Sequence, residues 1–364
     1  MNDNMVEWKE IRAVFETRNG YTPSTKNESF WTGGFIPWFK MEDIRDKGTV
    51  LNDSNLHITK KAIKGKGLFK ANSIILATSA TIGEHALITV EHLCNQRFTN
   101  FFPKKEFEEK VNMKFVYYYM FKVDEWCKQH THQGGFASVD MEGLYKLLIP
   151  IPSLSEQNRI VGILDTFTDS IENLKQQIAQ RRKQFEFYRD LYINMSFSKW
   201  PTITLKDIAV IKNGKDYKDL STGNVPVYGS GGIMTFVNAF ASDKPSVLLP
   251  RKGSVENIFY VDKPFWTVDT IYWTDIDINR IEPKFLFYSL SKYDLKKFAY
   301  GGARPSLSQP ILYKLEIPLP PLSEQSRIVS ILDTFEASIS NLEAQLAQRQ
   351  KQYEYYRNQL LTFE

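Results

Sequence analysis

Two hydrophobic rhythms alternate along the chain. Ile160, Leu164, Phe167, Ile171, Leu174, Ile178, Arg181, Phe185, Tyr188 and Tyr192 are spaced alternately by four and three, the spacing of a helix that packs along one seam. The same rhythm returns at Ile328, Leu332, Phe335, Ile339, Leu342, Leu346, Arg349, Tyr353, Tyr356 and Leu360. Elsewhere the apolar residues come in short β-branched and aromatic runs such as "SVLLP", "NIFYV" and "TIYWTD", bounded by Gly, Pro, Asn and Asp, which predicts strands. Two longer runs, "VNMKFVYYYMFKVDEWCKQH" and "PKFLFYSLSKYDLKKFAY", predict helices, each followed by a Gly-Gly turn.

The two seams are copies. Residues 149–192 align on 317–360 with a shift of 168 and no gap, and 28 of 44 positions are identical. So long a period marks a duplicated domain-plus-helix and not a solenoid array. A seam of roughly 36 residues makes a rod of about 54 Å, and two rods apolar along one stripe bury those stripes most simply against each other, antiparallel if the copies are related by a pseudo-dyad. Arg181 and Arg349 interrupt the seam at the same place in both copies, for register, for snorkelling or for a partner's carboxylate. Ser153 followed by Glu156 predicts a capping box before the first rod; the second copy has Pro321 there, which suits a first helical turn. Pro150, Pro152, Pro318 and Pro320 predict an extended strap ahead of each rod.

The organisation expected is a strand-rich domain at 1–150, a helix at 151–196, a second domain at 197–318 and a second helix at 319–364. The fold class is α+β, with two strand-rich domains joined by two long helices that pair as an antiparallel coiled coil in a pseudo-two-fold duplication. Framework echoes persist between the domains: "EIRAVFETRNG" with "DIAVIKNG", "SIILATSATIG" with "SVLLPRKGSVE", and "LYKLLIPIP" with "LYKLEIPLP". The loops differ, since "WFKMEDI" faces "VYGSGGI", "ATSATIG" faces "PRKGSVE", and "QGGFASVD" faces "GGARPSLS". A scaffold kept twice with its loops rewritten implies two readers of different targets.

Composition narrows the classes. With 364 residues, 42% hydrophobic, the chain can bury real cores. No run approaches the ~20 apolar residues of a membrane span, and "MNDNMVEWKE" lacks the layout of a signal peptide, so a cytoplasmic location is expected. Two cysteines, Cys94 and Cys127, are too few for a disulfide framework. A net charge of +4 means that any nucleic-acid binding must rest on local patches. There is no GxxxxGK[ST] phosphate loop, no Asn/Asp-Pro-Pro-aromatic methyltransferase motif and no Gly-x-Ser-x-Gly elbow; "GSGGIM" lacks GxGxxG spacing and reads as a turn. Cys127, His130 and His132 lie close together but have no fourth ligand at a recognisable spacing, so no metal is assigned.

The pair "IPIPSLSEQNRIVGILDTF" and "IPLPPLSEQSRIVSILDTF", with "VPVYGSGGI", "RKGSV" and "ARPSLSQ" in support, resembles one family over nearly the whole length: the specificity (S) subunit of type I restriction-modification enzymes. The resemblance implies a non-catalytic subunit whose two target-recognition domains each read half of a split double-stranded DNA target. The helices would set the gap and dock two adenine-N6 methyltransferase subunits, joined where present by two restriction subunits. No cofactor is expected on this chain; S-adenosylmethionine, Mg and ATP would belong to the partners. Half-sites one turn apart, ~34 Å, are compatible with such a rod.

On that resemblance the leading contacts in the second domain are Arg251, Lys252 and Arg304, because Arg or Lys donating to guanine O6 and N7 is the commonest specific pairing, which predicts at least one G in that half-site. Tyr228, Ser230, Ser254 and Ser306 follow as hydroxyl or stacking contacts. The matching loops of the first domain offer Lys40, Thr78, Ser79, Thr81, Gln133 and Ser138, but "TSAT" has no basic residue where the second copy has "RKGS", so readout there is by hydroxyls or shifts to another loop. Lys60, Lys61, Lys64, Lys66 and Lys70 gather in "TKKAIKGKGLFK" without an acid and suit phosphate contact, with Lys64 and Lys66 foremost. Each of these residues also has a plain reading as turn former, solvated charge or packing residue. The competing function is a coiled-coil protein-binding scaffold without DNA sequence specificity.

Overall fold

The computed structural model describes residues 6–132, 137–302 and 305–363. It divides into two units, Met1–Glu172 with Ala347–Glu364, and Asn173–Leu346.

In the first unit a five-stranded sheet runs in the order Phe15–Asn19, Phe98–Pro103, Ser73–Ala77, His85–Ile88, Val50–Leu51. Its central strand Ser73–Ala77 is buried throughout. Ile74 and Leu76 face one core, which also holds the helix Met113–Gln129, while Ile75 and Ala77 face a second core with Trp38, Phe39, Phe69 and Phe98. A strand covered on both faces reads as a continuous apolar run and not as an alternation. A smaller sheet, His57–Ile58, Ile36–Phe39, Leu93–Cys94, sits with the second core. Asn112 caps the helix by accepting from Lys114 N–H at 2.8 Å.

The second unit repeats the plan. A four-stranded sheet orders Ala209–Asn213, Ile271–Ile276, Ser246–Pro250, Phe259–Val261, and a three-stranded one orders Gly232–Val237, Thr222–Gly229, Trp266–Thr267. Val247 and Leu249 face the main core and Leu248 the minor one. The helix within "PKFLFYSLSKYDLKKFAY" stops at Ser291, and Leu295–Phe298 forms only a 3₁₀ turn. The proline straps are strands: Leu148–Ile151 pairs antiparallel with Glu7–Glu10, and Glu316–Pro318 with Thr202–Thr204.

The long helices run Leu154–Lys199 and Leu322–Leu360, longer than the periodic seams alone suggest. Ile160 and Leu164 enter the first unit's core with Leu361; Ile328, Val329 and Leu332 enter the second's with Ile193. Each unit thus holds the start of one helix and the end of the other, antiparallel. Phe167 stacks on Tyr356 with ring centroids 5.3 Å apart in the first unit, and Phe335 stacks on Tyr188 at 5.3 Å in the second. The seam arginines answer the same exchange, Arg349 lying 5.7 Å over Phe167 and Arg181 5.8 Å over Phe335. Facing a ring keeps a seam cation favourable without a carboxylate. Ile171, Leu174, Ile339 and Leu342 are half-buried, and Tyr356, expected within the seam, stacks on Phe167 yet remains 44% exposed.

The start of each rod differs from the expected capping box. Ser153 Oγ accepts from Glu156 N–H at 3.3 Å, but the Glu156 carboxylate turns to Arg159, at 2.7 Å; Glu324 does the same with Arg327. The start is held instead by a buried glutamine. Gln157 accepts from Asn112 N–H (2.8 Å) and donates to the Lys110 and Pro152 carbonyls (both 2.9 Å). Gln325 repeats this with Glu282 N–H (2.8 Å) and the Arg280 (3.1 Å) and Pro320 (2.8 Å) carbonyls. About two turns on, Asp165 accepts from Tyr118 and Lys114 at 2.6 and 2.7 Å, and Asp333 from Tyr288 and Lys284 at 2.9 and 2.7 Å. Burial, first, and then the facing carboxylates, Asp165 for Tyr118 and Glu336 with Asp333 for Tyr288, push both tyrosine hydroxyls well above their usual range, so each stays a donor.

Candidate nucleic-acid interface

Three loops converge on one backbone frame in each unit. In the second unit the turn after Ser246–Pro250 lies between the 268–270 turn and residues 305–307. Arg251 N–H donates to the Thr270 carbonyl at 3.0 Å, Leu307 N–H to the Arg251 carbonyl at 2.9 Å and Gly253 N–H to the Pro305 carbonyl at 3.1 Å, while Lys252 bridges Ser306. In the first unit Thr78 N–H donates to the Arg97 carbonyl at 3.0 Å and Val139 N–H to the Thr78 carbonyl at 3.0 Å, while Ser79 bridges Ser138. A residue with positive φ stands three positions beyond each central strand, Ala80 at 66° and Gly253 at 84°. The third element matches too: Asn95 N–H donates to the Phe39 carbonyl (3.0 Å) and Val268 N–H to the Tyr228 carbonyl (2.9 Å). Gly20 and Gly214 permit this packing, because a Cβ on either would stand 2.2 Å from the Asn95 carbonyl oxygen or 2.0 Å from that of Val268.

The structure therefore brings together Tyr228, Ser230, Arg251, Lys252, Ser254 and Ser306 in one unit, and Lys40, Thr78, Ser79, Thr81 and Ser138 in the other. Gln133 and Arg304 lie outside the described residues. Side-chain environments separate the candidates. Arg251 donates to the Asp269 carbonyl at 3.2 Å and lies 5.8 Å over the Tyr272 ring. Lys252 pairs with the Asp269 carboxylate at 3.2 Å. Ser230 is buried, its carbonyl accepting from Asn257 Nδ2 at 2.9 Å, so it shapes the turn. Tyr228 is half-buried against Phe259, ring centroids 5.9 Å apart, and burial raises its hydroxyl pKa. Lys40 stands at the start of Met41–Lys47 with Glu42 3.9 Å away, and Thr78 Oγ1 shares a hydrogen bond with Thr99 Oγ1 at 3.1 Å.

Lys60, Lys61, Lys64 and Lys66 are exposed on a loop that is itself well held. Tyr21 OH accepts from Lys64 N–H at 2.9 Å and donates to the Ala62 carbonyl at 3.0 Å. Arg18 donates to the Gly67 carbonyl while lying 4.0 Å over Phe69. Lys70 leaves the group, because Glu108, 38 positions on, pairs with it at 2.7 Å. The cluster thus has an acid at one end that its own segment does not reveal.

The Cys127, His130 and His132 grouping is not a ligand set. Cys127 is buried, the His130 ring stacks on Trp126 at 4.2 Å, and His132 faces Asp140 at 3.6 Å. Among the described residues no group of three or more His, Cys, Asp or Glu is placed to hold a metal, and no helix is long and apolar enough to cross a membrane. Arg97, which loop order along the chain does not single out, is exposed beside Thr78. The absence of a base from "TSAT" was the available signal, since it directs attention to the neighbouring turn.

A duplicated α+β domain with matched loop frames and divergent polar loop tips, each copy followed by one long helix, defines the class of fold. Residues 5–181 and 198–350 match the model of the type I restriction modification DNA specificity domain, and the chain belongs to that family. The EcoprrI type I restriction enzyme specificity subunit of Escherichia coli is 35% identical over 361 residues, covering 93% of this chain and 89% of that protein. The EcoR124I/EcoR124II specificity subunit of Escherichia coli is 25% identical over 306 residues, 70% of this chain and 72% of that one. The fold is shared with the S subunit of a type I restriction-modification system from M. genitalium, with a TM-score of 0.63 at 18% identity over 100% of this chain and 98% of the other. A chain solved in work on complex assembly and conformational transition of the type I system gives a TM-score of 0.62 at 16% identity, over 98% and 96%.

Proposed function

We propose that this chain is the sequence-reading, non-catalytic subunit of a type I restriction-modification complex. The observation that carries the reading is the loop frame built twice with different side chains at its tips: one backbone geometry offers Thr78, Ser79 and Ser138 in the first unit and Arg251, Lys252 and Ser306 in the second. Equal frames with unequal hydrogen-bonding tips suit two readers of different base sequences. Each would take one half of a split double-stranded DNA target, with the lysine loop at 60–66 on phosphate.

The long helices would set the gap and dock two adenine-N6 methyltransferase subunits. Phe187, Leu191 and Met195, at helical spacing, are exposed, and Tyr355, the copy of Phe187, is exposed in the other unit; such residues support a docking role. S-adenosylmethionine, Mg and ATP would be held by the methyltransferase and restriction partners, in keeping with the lack of phosphate-loop and methyltransferase motifs here. The location follows that of the complex on DNA, in the cytoplasm.

The test is selection from a randomised duplex library by the complex assembled with its cognate methyltransferase subunits. Two short specified blocks with a fixed gap are expected. A four-residue insertion in one helix should change the gap and leave the blocks alone. Binding without base preference would replace this reading with the protein-scaffold one.

A further inference from the structure

The two loop frames differ by an exchange. In the second unit the residue after the central strand is Arg251, and its N–H meets the carbonyl of Thr270; in the first unit the residue after the central strand is Thr78, and its N–H meets the carbonyl of Arg97, both at 3.0 Å. Arginine and threonine have traded ends of the same hydrogen bond. The cation that "TSAT" lacks therefore stands one loop away, beside the same Ser79–Ser138 bridge that matches Lys252–Ser306.

Arg97 is also the freer of the two. The residue preceding Thr270 is Asp269, whose carboxylate holds Lys252 and whose carbonyl holds Arg251. The residue preceding Arg97 is Gln96, whose side-chain oxygen accepts from Thr22 Oγ1 at 2.5 Å, so the neighbour is neutral and already engaged. Asn95 Oδ1 accepts from Arg97 N–H at 3.0 Å, which fixes the turn without using the guanidinium. Arg97 is exposed, and among the described residues no carboxylate pairs with it. A fixed backbone with an uncommitted planar fork suits bidentate donation, such as that to O6 and N7 of guanine.

We propose, resting on the DNA-reading function above, that Arg97 is the base-reading cation of the first domain, donating to O6 and N7 of a guanine in its half-site. Thr78 and Ser79 would then stand where the second domain puts its own basic pair.

Complexes assembled from wild-type chain, Arg97→Ala, Arg97→Lys and Arg251→Ala with the cognate methyltransferase subunits are offered the same randomised duplex library, and melting temperatures are taken alongside. For Arg97→Ala, preference for guanine at one position of one block should fall roughly 5- to 150-fold, with the other block unchanged. Arg97→Lys should keep more affinity yet relax the same position, and Arg251→Ala should act on the opposite block. A uniform loss of affinity with every base preference kept, together with a shallower salt dependence, would mark a phosphate contact and overturn the proposal. An unchanged profile at unchanged melting temperature would overturn it as well. A wild-type complex that selects no sequence would sink the DNA-reading function itself, and this proposal with it.

Discussion

Replacing Gln157 with methionine isolates what a buried side chain contributes to the joint between domain and rod. Methionine keeps the unbranched shape and volume and removes the amide. The glutamine is fully buried and makes three hydrogen bonds, at 2.8, 2.9 and 2.9 Å, all to backbone groups. Each bond is worth roughly 1 kcal/mol net, and the loss leaves one N–H and two carbonyls short of a partner, so the expected cost is about 3 kcal/mol. That corresponds to roughly two powers of ten in a local opening equilibrium. A local opening of this kind is read by hydrogen exchange resolved by peptide and not by a single global unfolding free energy. Amides in Met113–Gln129 should exchange about a hundredfold faster in Gln157→Met, with Pro283–Ser291 unaffected, and Gln325→Met should show the reverse. Exchange within about threefold of wild type in both variants would refute the reasoning, since desolvation of the glutamine would then have cancelled what its bonds supply.

Two further outcomes follow from the charges of the first unit. His92 is fully buried, and burial above all, with Arg18 nearby, lowers its pKa to about 4. Its unfolded value is about 6.5, so the stability is whole above that pH and is lost as pH falls toward 4, by about 2 kcal/mol between pH 7 and 5. Thermal unfolding should show this slope, and His92→Gln should flatten it; equal slopes would be inconsistent with a neutral buried imidazole. Substituting Lys60, Lys61, Lys64 and Lys66 by glutamine should lower the salt slope of DNA binding by the assembled complex by about 0.9 for each lysine that sits on phosphate. A slope that does not move would remove the loop from the interface.

The seam periodicity and the repeat made the architecture readable in advance, because both are regular and their partner is the other copy of the same pattern. The antiparallel exchange of Phe167 with Tyr356 and of Phe335 with Tyr188 follows from that symmetry. What escaped were contacts in which a nearby side chain competes for a group that already has a local reading, and contacts whose partners lie far away in sequence. Glu156 looks like the second half of a capping box, yet Arg159 one turn later competes for its carboxylate. Lys70 looks like one more free lysine until Glu108 is folded beside it. Arg97 is of the second kind: its exchange with Thr78 crosses a backbone hydrogen bond between two different turns, which order along the chain does not show.

On the proposed function, this chain directs adenine methylation to a two-part sequence. The most direct measurement is a genome-wide map of N6-methyladenine in cells that carry the cognate methyltransferase subunit, with and without this chain. A split motif with a constant gap that appears only when the chain is present is the predicted result. An identical map in both, with assembly of the complex verified, would contradict the account and leave the paired rods as a protein scaffold.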